Sequence, residues 1–172
     1  ALDDRATVLQ AQSLVVHVLA NDFDADGQID PTQVKTVDPP GHGTAEVDPV
    51  TGEVTYEPEP DYAGPDSFTY TVTDNDGLTS NVALVQITVN GRPTADTGGP
   101  YVIDEGQDLV LDGSGSSDPG GDPLTYRWDL DNDGQYDDAS GAAPTVPWAT
   151  LAGLGLASDG TALTAGLEVD DG

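Results

Sequence analysis

The chain has 172 residues, no cysteine and no methionine, and it carries 32 acidic against 4 basic side chains, a formal net charge of −28. This charge argues against nucleic acid and anionic membrane surfaces as partners, because both would be repelled. The lack of cysteine excludes disulfides and thiolate metal sites, and no stretch is apolar enough to insert into a membrane as a helix.

Short strand-like runs separated by turns occupy the first half of the chain, in keeping with its 21 glycines and 13 prolines. Apolar and polar residues alternate in "FTYTVT" and "VALVQITV", as they do in half-buried strands. Seven strands are predicted, at 6–9, 13–19, 34–37, 43–47, 52–58, 66–74 and 80–89. Because helix-period stripes are absent, this spacing predicts an all-β, immunoglobulin-like antiparallel β-sandwich over residues 1–91.

A second β-sandwich module is predicted over residues 92–172, after the Gly- and Pro-rich linker "VNGRPTADTGGPY". Trp128, in "TYRWDL", is expected to be buried on a central strand. The strands are predicted at 101–104, 108–113, 123–130, 145–151 and 161–170. The pattern stops after "GLEVDDG", so this tandem sandwich is expected to lack its last strand. The open edge would be a template for a strand of another chain.

The first module resembles the bacterial cadherin-like, immunoglobulin-type repeat of giant surface proteins and adhesins. The resemblance rests on "VLANDFDADGQ", "PPGHGTAEVDPVTGEVTYEPEPDYAGPDSFTYTVTDNDG" and "NVALVQITV". The second module resembles a PKD-type domain through "YVIDEGQDLVLDGSGSSDPGGDPLTYRWDLDNDG" and "LEVDDG", although "DLDNDGQYDD" replaces the short Gly-Asp-Gly turn common in that family. The resemblance implies non-catalytic extracellular spacer and recognition modules. Since the chain starts at Ala1 in a strand without Met, we expect a piece of a longer polypeptide.

The loop "DLDNDGQYD" in the second module has the spacing of a calcium loop. Such a loop needs several oxygens converging at about 2.3–2.6 Å, with a glycine that permits the sharp turn. The expected ligands are Asp129, Asp131, Asp133, the carbonyl of Gln135 and Asp137. Ser140 stands where a bidentate glutamate would be, and Asp138 could substitute for it. Because carboxylates this close are costly without a cation, we predict Ca²⁺ here rather than a solvated loop.

The loop "DFDADGQID" in the first module has the same register. Its expected ligands are Asp22, Asp24, Asp26, the carbonyl of Gln28 and Asp30, while Gln33 in the twelfth position is a weak ligand. The loop joins two strands, whereas an EF-hand loop joins two helices. We therefore predict calcium-loop geometry without an EF-hand, against the alternative of a plain acidic turn.

Acidic residues recur at one end of each predicted sandwich, where the N-terminus and two loops lie together. In the first module this end adds Asp3, Asp4, Asp74 and Asp76 to the loop. In the second it carries Asp96, Asp118, Asp122, Asp170 and Asp171. Since like charges repel, we expect calcium to clamp the joints between neighbouring repeats of the same polypeptide and stiffen the string. Such a stretch would serve as an extracellular extender or adhesion segment.

Catalysis is not expected, because no Ser-His-Asp order is recognisable and the acids cluster in turn loops rather than as a glycosidase pair. His17 and His42 are better explained as structural or surface residues than as metal ligands. Two alternatives remain open. The chain could be a filament subunit, a homo-polymer formed by strand exchange at the open sheet edge. It could also be a carbohydrate-binding accessory module, with Trp148 or Tyr136 stacking on a glycan.

Overall fold

The computed structural model describes residues 1–156 and 164–172. The chain divides into two compact units, Ala1–Gly91 and Arg92–Gly172, here called unit 1 and unit 2. Each is built from short β-strands, and the described residues contain a single short α-helix. The all-β class predicted from strand alternation is confirmed.

Unit 1 is a sandwich of two sheets. Its seven strands are β1 (Asp4–Leu9), β2 (Leu14–Val16), β3 (Lys35–Thr36), β4 (Gly43–Val47), β5 (Val54–Pro58), β6 (Gly64–Thr71) and β7 (Ala83–Asn90). A 3₁₀ turn, Pro31–Gln33, precedes β3. One sheet has the order β1-β7-β6-β3 and the other β2-β5-β4. The sheets are antiparallel except that β1 runs parallel to β7.

The core of unit 1 lies between the two sheets and follows from strand periodicity. In β7, Ala83, Val85, Ile87 and Val89 are buried while the residues between them face outward. Phe68 and Tyr70 of the neighbouring strand β6 and Tyr56 of β5 in the facing sheet fill the space between the sheets. Two of these buried side chains are tyrosines, so their hydroxyls need partners, and both find them at the ends of the sandwich.

Unit 2 is built from shorter strands: β8 (Leu109–Val110), β9 (Thr125–Asp129), β10 (Ala139–Ser140), β11 (Thr145–Val146) and β12 (Gly166–Asp170). The sheets have the orders β10-β9-β12 and β11-β8. Trp128 is fully buried on the central strand β9, as predicted, and its indole N–H donates to the Gly141 carbonyl at 3.0 Å. Within the described ranges, β12 pairs only with β9.

The structure corrects several predicted strands of unit 2. The strand predicted at 145–151 is wrong beyond Val146, because α1 (Trp148–Gly153) begins after Pro147 and buries Leu151. The strand predicted at 101–104 is absent; Tyr101 instead accepts a hydrogen bond from the Asp112 backbone N–H at 2.7 Å. The last predicted strand begins only at Gly166, and its residues 161–163 lie outside the described residues.

Candidate functional site

In unit 2 the acidic loop begins where β9 ends, at a buried carboxylate. Asp129 is only 4% exposed. Its two oxygens accept backbone N–H groups of the turn, Oδ1 from Asn132 at 2.7 Å and Oδ2 from Gly134 at 3.0 Å. Asn132 and Gly134 both have positive φ, 58° and 87°, which turns the backbone around the carboxylate. The loop is therefore wrapped around Asp129.

Three carboxylates of this loop converge. Each of Asp129, Asp131 and Asp138 offers an oxygen, and these oxygens all lie within 4.8 Å of one another. Asp138 is held in place because its Oδ2 accepts the Leu130 N–H at 2.6 Å. Loss of hydration and the neighbouring carboxylates together raise the pKa of Asp131. The group contains only oxygen donors, which hard cations such as Ca²⁺ prefer.

The other predicted ligands of this loop are placed differently. Asp133 accepts the backbone and side-chain N–H groups of Gln135 at 2.8 and 2.9 Å, so both of its oxygens are used within the turn. Asp137 is exposed and does not belong to the converging group. Asp138, the substitute for the missing twelfth ligand, joins Asp129 and Asp131 instead.

In unit 1, Asp22 ties the acidic loop to the N-terminus and to β6. Its Oδ1 accepts the Leu2 N–H at 2.6 Å, and its Oδ2 lies 2.9 Å from the hydroxyl of buried Tyr70. That hydroxyl is also 2.6 Å from the Val18 carbonyl. The register of β6 thus delivers a buried hydroxyl to this end of the sandwich.

Asp4 lies beside Asp22 and is partly buried. Its Oδ1 accepts from the Asn21 amide at 3.0 Å, but its Oδ2 is buried and has no hydrogen-bond partner among the described residues. Burial raises the pKa of Asp4 to about 6, and the charges of Asp22 and Asp3 add to the rise, while hydrogen bonds from Tyr70 and Asn21 oppose it. An orphaned anionic oxygen of this kind fits a cation.

A second orphaned oxygen lies in the acidic loop that contains Asp22. Asp24 Oδ2 is buried without a hydrogen-bond partner in the described part of the chain. A Cβ added to Gly27 would lie 2.8 Å from this oxygen and 2.5 Å from Asn75 Oδ1, so a larger residue there would displace one of these two side chains. Asn75 Oδ1 also accepts the Gln28 N–H at 2.6 Å. Asn75 was not predicted as a site residue; the only signal was its place in the acidic turn "TDNDG".

Most other predicted ligands of unit 1 accept hydrogen bonds that hold turns and strands in place. Asp30 caps the 3₁₀ turn by accepting the Thr32 N–H at 3.0 Å, and Asp3 accepts the Leu84 N–H at 2.9 Å. Asp74 accepts two backbone N–H groups of its own turn, from Asp76 and Leu78, both at 2.8 Å. Asp26 and Asp76 are exposed.

The predicted acidic end of unit 2 shows a third orphaned oxygen. Asp118 Oδ2 accepts the Asp122 N–H at 3.1 Å, while its Oδ1 is buried with no partner within the described ranges. Asp96 accepts the Gly98 N–H at 2.9 Å and is exposed.

The two aromatic side chains considered for glycan stacking differ in exposure. Trp148 is partly buried and packs against the core of unit 2. Tyr136 is 38% exposed.

Residues 1–91 match the bacterial cadherin-like domain, and residues 90–150 match the PKD domain. A search of the curated proteins finds no match. Among solved structures, Drosophila OTK extracellular domains 3–5 are 18% identical, with a TM-score of 0.45. The alignment covers 85% of this chain and 49% of that one, so the chain spans about half the length of that structure.

The fibronectin(III)-like modules of Clostridium thermocellum CbhA are 14% identical, with a TM-score of 0.34, over 99% of this chain and 83% of that one. At this level of similarity neither structure carries a functional argument. Among the described residues, no helix is long and apolar enough to cross a membrane.

Proposed function

The chain belongs to the bacterial cadherin-like family through residues 1–91 and continues into a PKD domain, and from this premise we propose a calcium-stiffened extender and adhesion segment. Both kinds of domain are typically extracellular, non-catalytic structural modules. The proposal adds that Ca²⁺ holds the acidic loops of each unit in one conformation. A non-enzymatic, surface-exposed or secreted role agrees with this.

The observation that carries the calcium proposal is the convergence of Asp129, Asp131 and Asp138. Without a cation, three carboxylate oxygens within 4.8 Å repel one another, and one of these residues is 4% exposed. The backbone N–H groups of Asn132 and Gly134 fix the orientation of Asp129, but they carry no net positive charge that would balance the three carboxylates. A divalent cation would replace the mutual repulsion by attraction, and the loop would then resist deformation.

In unit 1 the described carboxylates form no converging group like that of unit 2, and a second ion there is supported by orphaned oxygens instead. Asp4 and Asp24 each have a buried oxygen that no hydrogen bond satisfies in the described residues. Buried polar atoms without partners are rare, and an unplaced ion is one of the accepted explanations. Asp22, between them in the chain, is already oriented by Tyr70 and Leu2. An ion bound at either of the two orphaned oxygens would have a structural role.

Calcium removal tests the proposal. An affinity of about 10⁻⁴–10⁻³ M suffices outside cells. At a calcium concentration ten times the Kd, binding stabilises the folded state by about 1.4 kcal/mol. For a unit of this size that raises the Tm by roughly 5–10 °C. Both tryptophans, Trp128 and Trp148, lie in unit 2, so their fluorescence follows its unfolding separately.

The melts are compared in chelator, in millimolar calcium and in sodium chloride of matched ionic strength. Screening alone would raise the Tm equally in the last two. Equal melting temperatures in calcium and in sodium chloride of matched ionic strength, together with no heat on calcium titration, would falsify the calcium proposal.

Strand exchange is a second candidate function, and the free edge of β12 favours it. Within the described ranges β12 pairs with β9 on one side only, and its Leu167 packs on the core that contains Trp128. An unpaired edge backed by a core can accept a strand from another chain. Concentration-dependent assembly in analytical ultracentrifugation that a Val169→Pro change abolishes would support it; a monomer at all concentrations would count against it.

A further inference from the structure

Arg5 is an exposed cation in a chain dominated by anions. The chain has 4 basic residues against 32 acidic ones, yet Arg5 makes no ion pair in the part of the chain that the structure describes. In unit 2, by contrast, Arg127 lies 2.9 Å from Glu168. Arg5 is exposed on β1. Its guanidinium is therefore available to an anion that the chain itself does not provide.

The strand register places hydrogen-bonding side chains beside Arg5. Arg5 is opposite Gln86 of β7, and Gln86 is opposite Ser67 of β6. Side chains at paired positions lie on the same face of a sheet, so the three form one row across the outer face, roughly 10 Å long at a strand spacing of about 4.8 Å. The adjacent row contains Thr7 and Thr88. These residues line a groove of about 710 Å³.

Carboxylates in and around the groove are already engaged. Asp66, which is among the residues that line the groove, accepts the Tyr56 hydroxyl at 2.8 Å and three backbone N–H groups. At the β3 edge, Asp38 accepts a hydrogen bond from the Thr69 hydroxyl at 3.0 Å. Asp3, which precedes β1, accepts the Leu84 N–H of β7 at 2.9 Å.

The outer face of the opposite sheet is different in charge. There, β4 and β5 present the exposed glutamates Glu46 and Glu57. Unit 1 therefore has one anionic sheet face and one whose strand positions carry hydroxyls, amides and cations. The net charge of −28 repels any polyanion at long range. Because charges are screened beyond about 8 Å at physiological salt, the residues nearest a bound ligand decide which face it binds.

We propose that the groove around Arg5 binds an acidic polysaccharide. Arg5 pairs with a sugar carboxylate, since guanidinium and carboxylate match in a two-bond geometry. Ser67, Gln86 and Thr88 bond to sugar hydroxyls. A folded protein partner fits less well, because the buried centre of a protein interface is rich in aromatic side chains, and the groove is lined by none.

The site is independent of the calcium proposal, because the groove contains none of Asp4, Asp22 and Asp24. Its test is therefore run in chelator, where calcium cannot bridge a polyanion to the acidic loops. Oligogalacturonate is titrated into the full chain by calorimetry, with dextran as the neutral sugar and poly-glutamate as the anionic peptide. Arg5→Gln is compared with Arg127→Gln, which removes the same charge from a place outside the groove.

We expect oligogalacturonate to bind, dextran and poly-glutamate to bind at least about tenfold more weakly, and Arg5→Gln to lose about tenfold in affinity. Arg127→Gln should bind like the parent, and both variants should keep the parent's Tm, since both side chains are exposed. Ser67→Ala should show a smaller loss. Absence of binding, equal losses in the two arginine variants, or poly-glutamate binding as tightly as the sugar would each overturn the proposal.

Discussion

Replacing Asp4 by asparagine is predicted to stabilise unit 1 when calcium is absent. Burial raises the pKa of Asp4 from 3.8 to about 6, so at neutral pH the fold must hold a partly desolvated charge. A rise of about two pH units corresponds to about 3 kcal/mol. Because Asp4 keeps some contact with water, screening reduces this to about 1–2 kcal/mol. The amide has no charge to desolvate, and the expected rise in Tm is roughly 5–10 °C.

The sign of the pH dependence follows from the raised pKa. Between pH 3.8 and about 6 the folded chain binds more protons at Asp4 than the unfolded chain does. The contribution of Asp4 to stability therefore falls as the pH rises through this window, and above it the loss is complete. In Asp4→Asn this fall should disappear. Calcium, which would balance the ionised carboxylate, should stabilise the parent more than the variant.

Differential scanning calorimetry of the full chain in chelator, from pH 4 to pH 7, measures these changes. Tryptophan fluorescence of unit 2 is the internal reference, and Asp61→Asn, a change at an exposed aspartate in unit 1, is the matched control that should stay within about 0.5 kcal/mol. If Asp4→Asn lowers the Tm of unit 1 at pH 7, or if its stability keeps the parent's pH profile, the reasoning from burial is refuted.

Three further changes test the contacts that build the sites. Asp129→Asn should remove the calcium-dependent part of the unit 2 melt, whereas Asp137→Asn, at an exposed position outside the cluster, should keep it; tryptophan fluorescence in chelator and calcium distinguishes them. Tyr70→Phe should cost about 1–3 kcal/mol in urea unfolding, because it leaves buried acceptors without a donor. Asp66→Asn should cost a similar amount at pH 7. Burial raises the pKa of Asp66, but hydrogen bonds from Tyr56 and three backbone N–H groups outweigh it and lower the pKa. The stability that ionised Asp66 contributes is therefore present above pH 3.8 and is lost as the pH falls through the lowered pKa. The urea unfolding curves of the parent and of Asp66→Asn should converge in acid.

Local patterns predicted the parts of this molecule that depend on neighbouring residues. Period-two alternation predicts β6 and β7 because it is a property of the backbone, and the usual place of an aromatic residue on a central strand of such sandwiches predicts that Trp128 is buried. The failures lie where the strands are only two residues long. At Pro147 the chain changes from β11 to α1, and a run of mixed apolar residues cannot distinguish the two.

Within the acidic loops, the sequence by itself determined which turns carry carboxylates and which glycines allow the turn. The selection among those carboxylates came from the tertiary structure. Asp138 rather than Asp133 joins Asp129, because the side chain of Gln135 occupies Asp133 while the backbone N–H of Leu130, just after β9, orients Asp138.

The site in unit 1 shows the reason for this division. Tyr70 lies 48 residues from Asp22, and Asn75 lies 47 residues from Gln28, yet each pair is in hydrogen-bond contact. Spacing along the chain cannot predict such pairs, because they depend on how the two sheets pack and on the register of β6. The same holds for Arg5, whose neighbours Gln86 and Ser67 are set by the pairing of β1, β7 and β6. Sequence determined the chemistry of each loop and strand, and the packing of the sheets decided which of those groups meet.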